Sequence, residues 1–186
     1  MSWIDIIDEE DAEGRLKEVY DRVAGARGKV SNIMRVHSLK PEAMDTHMEL
    51  YKAVVFGKSG LSREEREVVA TAVSVANECP YCVHHHAEAL RAYWRDDARV
   101  DAFATEPRTF EGLDERQRAL VDYALVLTDD PRDVEESHIE ALREAGFDDE
   151  EILCVNLVTS YFNFVNRIAL GLGVGFDVDE VKGYEY

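Results

Sequence analysis

Apolar residues recur at three- and four-residue spacing through most of the chain, which is the signature of amphipathic helices packed on a common core. Leu16, Val19, Tyr20 and Val23 predict a short helix over 12–24, ended by a glycine-containing break at 25–28. Met44, Met48, Leu50, Tyr51, Val54 and Val55 predict a second over 41–56, with Pro41 near its start and Gly57 beyond its end. Ser62 followed by Glu65 is a capping box, opening a third helix that runs to about Glu78. The valine-rich run 68–76 has the composition of a buried strand, but the cap, the alanines and a length above ~12 residues favour a helix.

Pro80 suits the first position of a fourth helix reaching about Trp94, which leaves Cys79 at its cap. Helices are also predicted over 114–128, 134–145 and 148–172, the last opened by Asp148 with Glu151 and closed by Gly171, Gly173 and Gly175. No interval repeats, no segment is low in complexity, and no alternating βα units are visible. The expected fold is therefore all-α, a single domain over 1–186 of about seven helices, and a Rossmann or doubly wound sheet is not supported.

Composition narrows the function. The 186 residues are 46% hydrophobic, enough for a sizeable core, and 39 acidic against 21 basic residues give a formal charge of -18. That charge repels polyphosphate, so nucleic-acid binding is not expected. No run approaches the roughly 18 apolar residues of a membrane span, and no membrane partner is expected. The N-terminus has no basic region or cleavage pattern and reads as mature and non-secreted, which suits the cytoplasm. Three cysteines, two of them close together, point to reactivity or metal binding in a reducing compartment, not to a disulfide scaffold.

The stretch from Cys79 to His86, Cys-Pro-Tyr-Cys-Val-His-His-His, concentrates the chemistry. Cys82 and His86 are four apart and become neighbours on one helix, with Cys79 three residues earlier at the same end. The helix N-terminus and a nearby imidazole both favour a thiolate, so the Cys82 thiol is expected to ionise below the free value of ~8.5. A thiolate attacks peroxide oxygen to give a sulfenic acid, which a second thiol condenses into a disulfide, and Cys79 is placed for that step. If the helices before and after the turn pack antiparallel, a rise of about 1.5 Å per residue puts Glu67 ~15 Å and His86 ~9 Å below it. Glu67 is then nearer His86 than the thiols, and its expected role is to orient or charge that histidine, directly or through water.

The spacing of Glu67, Cys79, Cys82 and His86 resembles that of the alkyl hydroperoxidase D and carboxymuconolactone decarboxylase superfamily. The segments Val36-His37-Ser38-Leu39-Lys40-Pro41 and Tyr161-Phe162-Asn163-Phe164-Val165-Asn166-Arg167-Ile168 are similar to its peroxidase-related branch, so the resemblance covers most of the chain. It implies an alkyl hydroperoxidase D-like helical bundle, assembly as a dimer, trimer or hexamer, a hydroperoxide substrate and a dithiol or lipoyl-type reductant. It also implies that Cys82 meets peroxide, that Cys79 resolves the product, and that Glu67 and His86 relay protons, with no cofactor beyond the cysteine pair. Tyr81 stands where alkyl hydroperoxidase D has a histidine, and the cysteine pair argues against lactone decarboxylation.

Other readings attach to the same residues. Cys79, Cys82 and His86 supply three zinc donors, but no second cluster completes a closed site. Cys-Pro-Tyr-Cys is also the glutaredoxin motif, without that fold's alternating strands. A redox sensor or helical oligomer whose disulfide controls assembly is the non-enzymatic alternative. His84 and His85 read as surface residues, His37 as a local hydrogen-bonding residue and Cys154 as a core thiol. Asn156, Thr159, Ser160, Asn163 and Arg167 form a polar stripe read as an interface or internal network.

Overall fold

A computed structural model describes residues 2–176 and Glu180. Among them are nine α-helices: α1 (Gly14–Arg27), α2 (Asn32–Arg35), α3 (Pro41–Tyr51), α4 (Arg63–Ala76), α5 (Pro80–Trp94), α6 (Asp97–Thr105), α7 (Glu115–Asp129), α8 (Glu136–Glu144) and α9 (Asp149–Gly171). No strand occurs among the described residues. Seven of these helices answer the sequence expectation. The two beyond it, α2 and α6, are a single turn and a nine-residue helix that buries only Val100 and Phe103. The first is too short to display an apolar stripe, and the second offers only those two buried positions.

The valine-rich run became the central helix. From Arg66 to Ser74 every residue of α4 is buried, which explains why its composition looks like that of a strand enclosed on both faces. Val69, Ala70 and Val73 pack into a core shared with α7 and α9, while Val68 and Ala72 pack with Leu90, Trp94 and Phe103 of α5 and α6. The Ser62–Glu65 capping box is formed and fixes where α4 begins. A third cluster joins Val19, Tyr20 and Val23 of α1 to Met44 and Met48 of α3.

Two local devices aim these helices at one another. The connection from α4 to α5 is a tight Schellman turn, in which the Cys79 amide donates to Ser74 carbonyl at 3.0 Å and the Glu78 amide to Val75 carbonyl at 2.9 Å. Glu78 supplies the left-handed residue, at φ 52°. The second device lies after α3, where the chain widens into a π-helical turn over Lys52–Phe56. Arg63 and Arg66 of α4 donate to its Val55 carbonyl at 3.1 and 2.8 Å, tying the end of α3 to the central helix.

The polar stripe of α9 is largely an internal network. Asn156 donates to the Tyr123 hydroxyl at 2.7 Å, and Asn163 donates to Thr128 at 2.9 Å while accepting from Asn77 and Arg167 at 3.0 and 2.8 Å. These bonds join α9 to α7 and to the end of α4. Ser160 is exposed.

Candidate active site

The Schellman turn delivers Cys79 as the N-cap of α5 and Cys82 into its first turn, both buried, with their sulfurs 2.8 Å apart as free thiols. One turn further along α5, His86 reaches back to α4. Its Nδ1 lies 2.8 Å from Glu67 Oε2, so the contact is direct and the bridging water allowed by the sequence reading is not needed. Glu67 is 2% exposed, and its other oxygen is 2.6 Å from Arg63 Nη2, one turn earlier on α4. A neutral His86 that donates from Nδ1 to a carboxylate leaves Nε2 as the basic nitrogen. Phe162 packs against the edge of the ring, with centroids 4.4 Å apart, and holds its plane.

The cysteines ionise as a pair, and this corrects the expectation for Cys82. A hydrogen bond from Cys82 lowers the pKa of Cys79 against the opposing effect of burial, with the Cys82 backbone amide helping. The Cys82 thiol is pushed up, first by its hydrogen bond with Cys79 and then by its own burial. The first negative charge is therefore shared across the sulfur contact, and Cys82 has to lose its proton before it can act as a nucleophile. The sequence rule weighed the helix-end field and took no account of one sulfur hydrogen-bonding the other.

Cys82, His86, Glu67 and Arg63 line one cavity with about 70 Å³ open to water, closed mainly by apolar side chains such as Met34, Met48, Phe162 and Val165. That volume suits a few waters or one small organic group. Cys79 is not part of this lining and instead borders a separate groove with Trp3, Pro80 and Phe176. The two sulfurs thus touch each other while facing different openings.

Several cavity residues were missed or misjudged from sequence. Arg63 carries a weak local signal, being four residues before Glu67. His85 read as a surface residue, but it is half-buried, lines the cavity and stacks on Tyr81 with ring centroids 4.2 Å apart. Tyr81 is buried, and its hydroxyl accepts from the Ile33 amide at 3.1 Å. His47 and Tyr161, separated by 114 positions, meet at 2.9 Å, a juxtaposition with no sequence signal. His84 is exposed, and Cys154 is partly buried at the edge of the core. Among the described residues no group of histidine, cysteine and carboxylate side chains is arranged to hold a metal ion, and no helix is long and apolar enough to cross a membrane.

The arrangement defines an all-helical protein with paired thiols beside a buried carboxylate–imidazole couple. The carboxymuconolactone decarboxylase family model matches residues 41–106, the span from α3 to just past α6 that contains all four sequence-selected site residues. An uncharacterised peroxidase-related protein with an alkyl hydroperoxidase D core from Ralstonia eutropha is 28% identical, with TM-score 0.86 over 97% of this chain and 94% of that one. A peroxidase-related protein from Silicibacter is also 28% identical, with TM-score 0.82 over 96% and 91%. The debrominase Bmp8, at 19% identity, shares the fold with TM-score 0.77 over 95% and 96%. No curated protein sequence matches the chain. The chain thus resembles the alkyl hydroperoxidase D and carboxymuconolactone decarboxylase superfamily, in its fold over nearly its whole length and in the span that holds the candidate site.

Proposed function

We propose that this protein is a thiol-dependent hydroperoxide reductase, an antioxidant enzyme of the peroxidase-related kind, in which Cys82 attacks peroxide and Cys79 resolves the product. The observation that carries this reading is that Cys82 shares a cavity with the His86–Glu67–Arg63 relay, while its partner sulfur lies within 2.8 Å but outside that lining. The apolar lining favours a small alkyl hydroperoxide over hydrogen peroxide.

His86 Nε2 takes the Cys82 proton. The Cys82 thiolate then attacks the terminal peroxide oxygen, forming the S–O bond as the O–O bond breaks. The departing alkoxide takes a proton from His86. Cys79 displaces water from the sulfenic acid to give the 79–82 disulfide. The balance is two thiols and one hydroperoxide giving one disulfide, one alcohol and one water. An external dithiol, the lipoyl type being the expected class, returns the disulfide to two thiols, and no other cofactor is required.

Steady-state consumption of tert-butyl hydroperoxide with a dithiol reductant tests the reading. Wild type should turn over repeatedly, and Cys79→Ser and Cys82→Ser should not. Full turnover by Cys82→Ser would end the proposal, and consumption limited to one equivalent per site would favour the redox-sensor alternative. The same reading places the protein in the reducing cytoplasm and expects self-association. Leu153, Leu157 and Phe164 share one exposed face of α9 and support a contact between copies. Phe164→Glu should then reduce the size seen by light scattering, and an unchanged size would exclude that face.

A further inference from the structure

Return of the 79–82 disulfide to two thiols is the half of the cycle that the cavity does not explain. A thiolate opens a disulfide by attacking one sulfur from the side opposite the other, which leaves. Here the two sulfurs border different openings, Cys82 the cavity and Cys79 the groove between the N-terminal segment and the end of α9. The openings also differ in size. The cavity offers about 70 Å³ to water and the groove about 420 Å³, so only the groove has room for a chain that carries two thiols.

The groove has a built wall. The Trp3 amide donates to the Leu172 carbonyl at 2.8 Å, which ties the N-terminal segment to the end of α9. The Trp3 indole lies over Gly173 so closely that a Cβ there would overlap the ring. Fixed at backbone and ring, Trp3 is still 78% exposed, and Leu170 beside it is 39% exposed. In the disulfide state none of the described residues lining the groove carries a charge, on a molecule whose formal charge is -18. An anionic thiol such as glutathione is repelled by the surrounding field and finds no cation here. An uncharged thiol on an apolar chain finds a tryptophan face to cover.

We propose that the reductant is an uncharged dithiol that docks in this groove against Trp3 and Leu170 and attacks Cys79, so that peroxide and reductant use opposite openings. This inference rests on the peroxidase reading and adds to it a second, separate site. One thiolate of the dithiol bonds to Cys79 Sγ as the bond to Cys82 breaks. Cys82 leaves with the electron pair, on the cavity side where it next meets peroxide. The second thiolate then attacks the dithiol's own sulfur in the mixed disulfide and releases Cys79. The dithiol is oxidised to a cyclic disulfide, and the two protons it gives up end on the two cysteines.

The two half-reactions are measured apart, with the disulfide formed by diamide so that its preparation needs no peroxide. Trp3→Ala should slow reduction by dihydrolipoamide at low concentration roughly five- to tenfold, the effect of losing part of an indole contact. Oxidation of the reduced variant by tert-butyl hydroperoxide should stay within about twofold of wild type. Leu170→Lys should shift the preference from dihydrolipoamide toward the anionic dihydrolipoate about fivefold, and Leu170→Glu should shift it the other way. Benzyl mercaptan added with excess iodoacetamide should leave its mixed disulfide on Cys79 and the alkyl group on Cys82. A mixed disulfide on Cys82, equal slowing of both half-reactions, or no response to either Trp3→Ala or the Leu170 charges overturns the proposal. A protein that ignores hydroperoxide but shows these groove effects after diamide loses the peroxidase reading and keeps the groove as a dithiol site.

Discussion

A carboxylate buried as deeply as Glu67 stays charged only if its oxygens are met, and Arg63 and His86 meet one each. Glu67→Ala leaves the Arg63 charge nearly buried and unpaired, so unfolding in urea should show a loss of about 3 kcal/mol or more. His86→Asn removes the base and keeps the ion pair. Its kcat/KM for hydroperoxide should fall about 100-fold, with a stability loss of only about 1 kcal/mol. His47 gives a pH signature. Burial brings its folded pKa to about 4, below the unfolded value of about 6.5, so the unfolded chain binds the proton first as the pH falls. Stability is full above pH ~6.5 and is lost progressively toward pH ~4, by roughly 3 kcal/mol from this residue. In urea titrations between those limits, His47→Gln should lose correspondingly less than wild type. Equal slopes would mean that His47 is not held neutral.

At the scale of elements, the turn between α4 and α5 decides where the sulfurs lie. The same Schellman geometry ends α8 at Gly146 and α9 at Gly173, each with positive φ, but ends α4 at Glu78. A side chain in that conformation costs about 1 kcal/mol relative to glycine. Glu78→Gly should therefore raise unfolding stability by about 1 kcal/mol in a denaturant titration, and a loss would show that the exposed glutamate makes a compensating contact. Much of this element plan was legible, because Ser62, Pro80 and Asp148 punctuate the helices by local hydrogen-bond chemistry. The motif spacing likewise brought Glu67 and His86 to one place. The cavity's Tyr161–His47 contact was not legible, since it depends on α3 and α9 meeting across the core. The Cys82 ionisation was misread because it depends on the distance between two sulfurs, not on helix position.

At the scale of the whole molecule, the charge of -18 opposes compaction, and much of it lies on exposed helix faces where ion pairs are worth little. Screening should therefore stabilise the fold. Raising salt from about 0.01 to 0.15 M should lift the thermal midpoint by about 2–4 °C. A fall would show that bridges such as Arg116 between Glu65 and Glu151, at 2.7 Å each, outweigh the net repulsion.

The division of labour between the sulfurs is the centre of the account, and trapping the first oxidised species tests it most directly. Reduced Cys79→Ser and Cys82→Ser are each treated with one equivalent of tert-butyl hydroperoxide in the presence of dimedone, and the adduct is located by peptide mass spectrometry. The account predicts a dimedone adduct on Cys82 in Cys79→Ser and none on Cys79 in Cys82→Ser. An adduct on Cys79 with Cys82 unmodified would contradict it, making the more acidic sulfur the attacking one and its separate groove the substrate entrance.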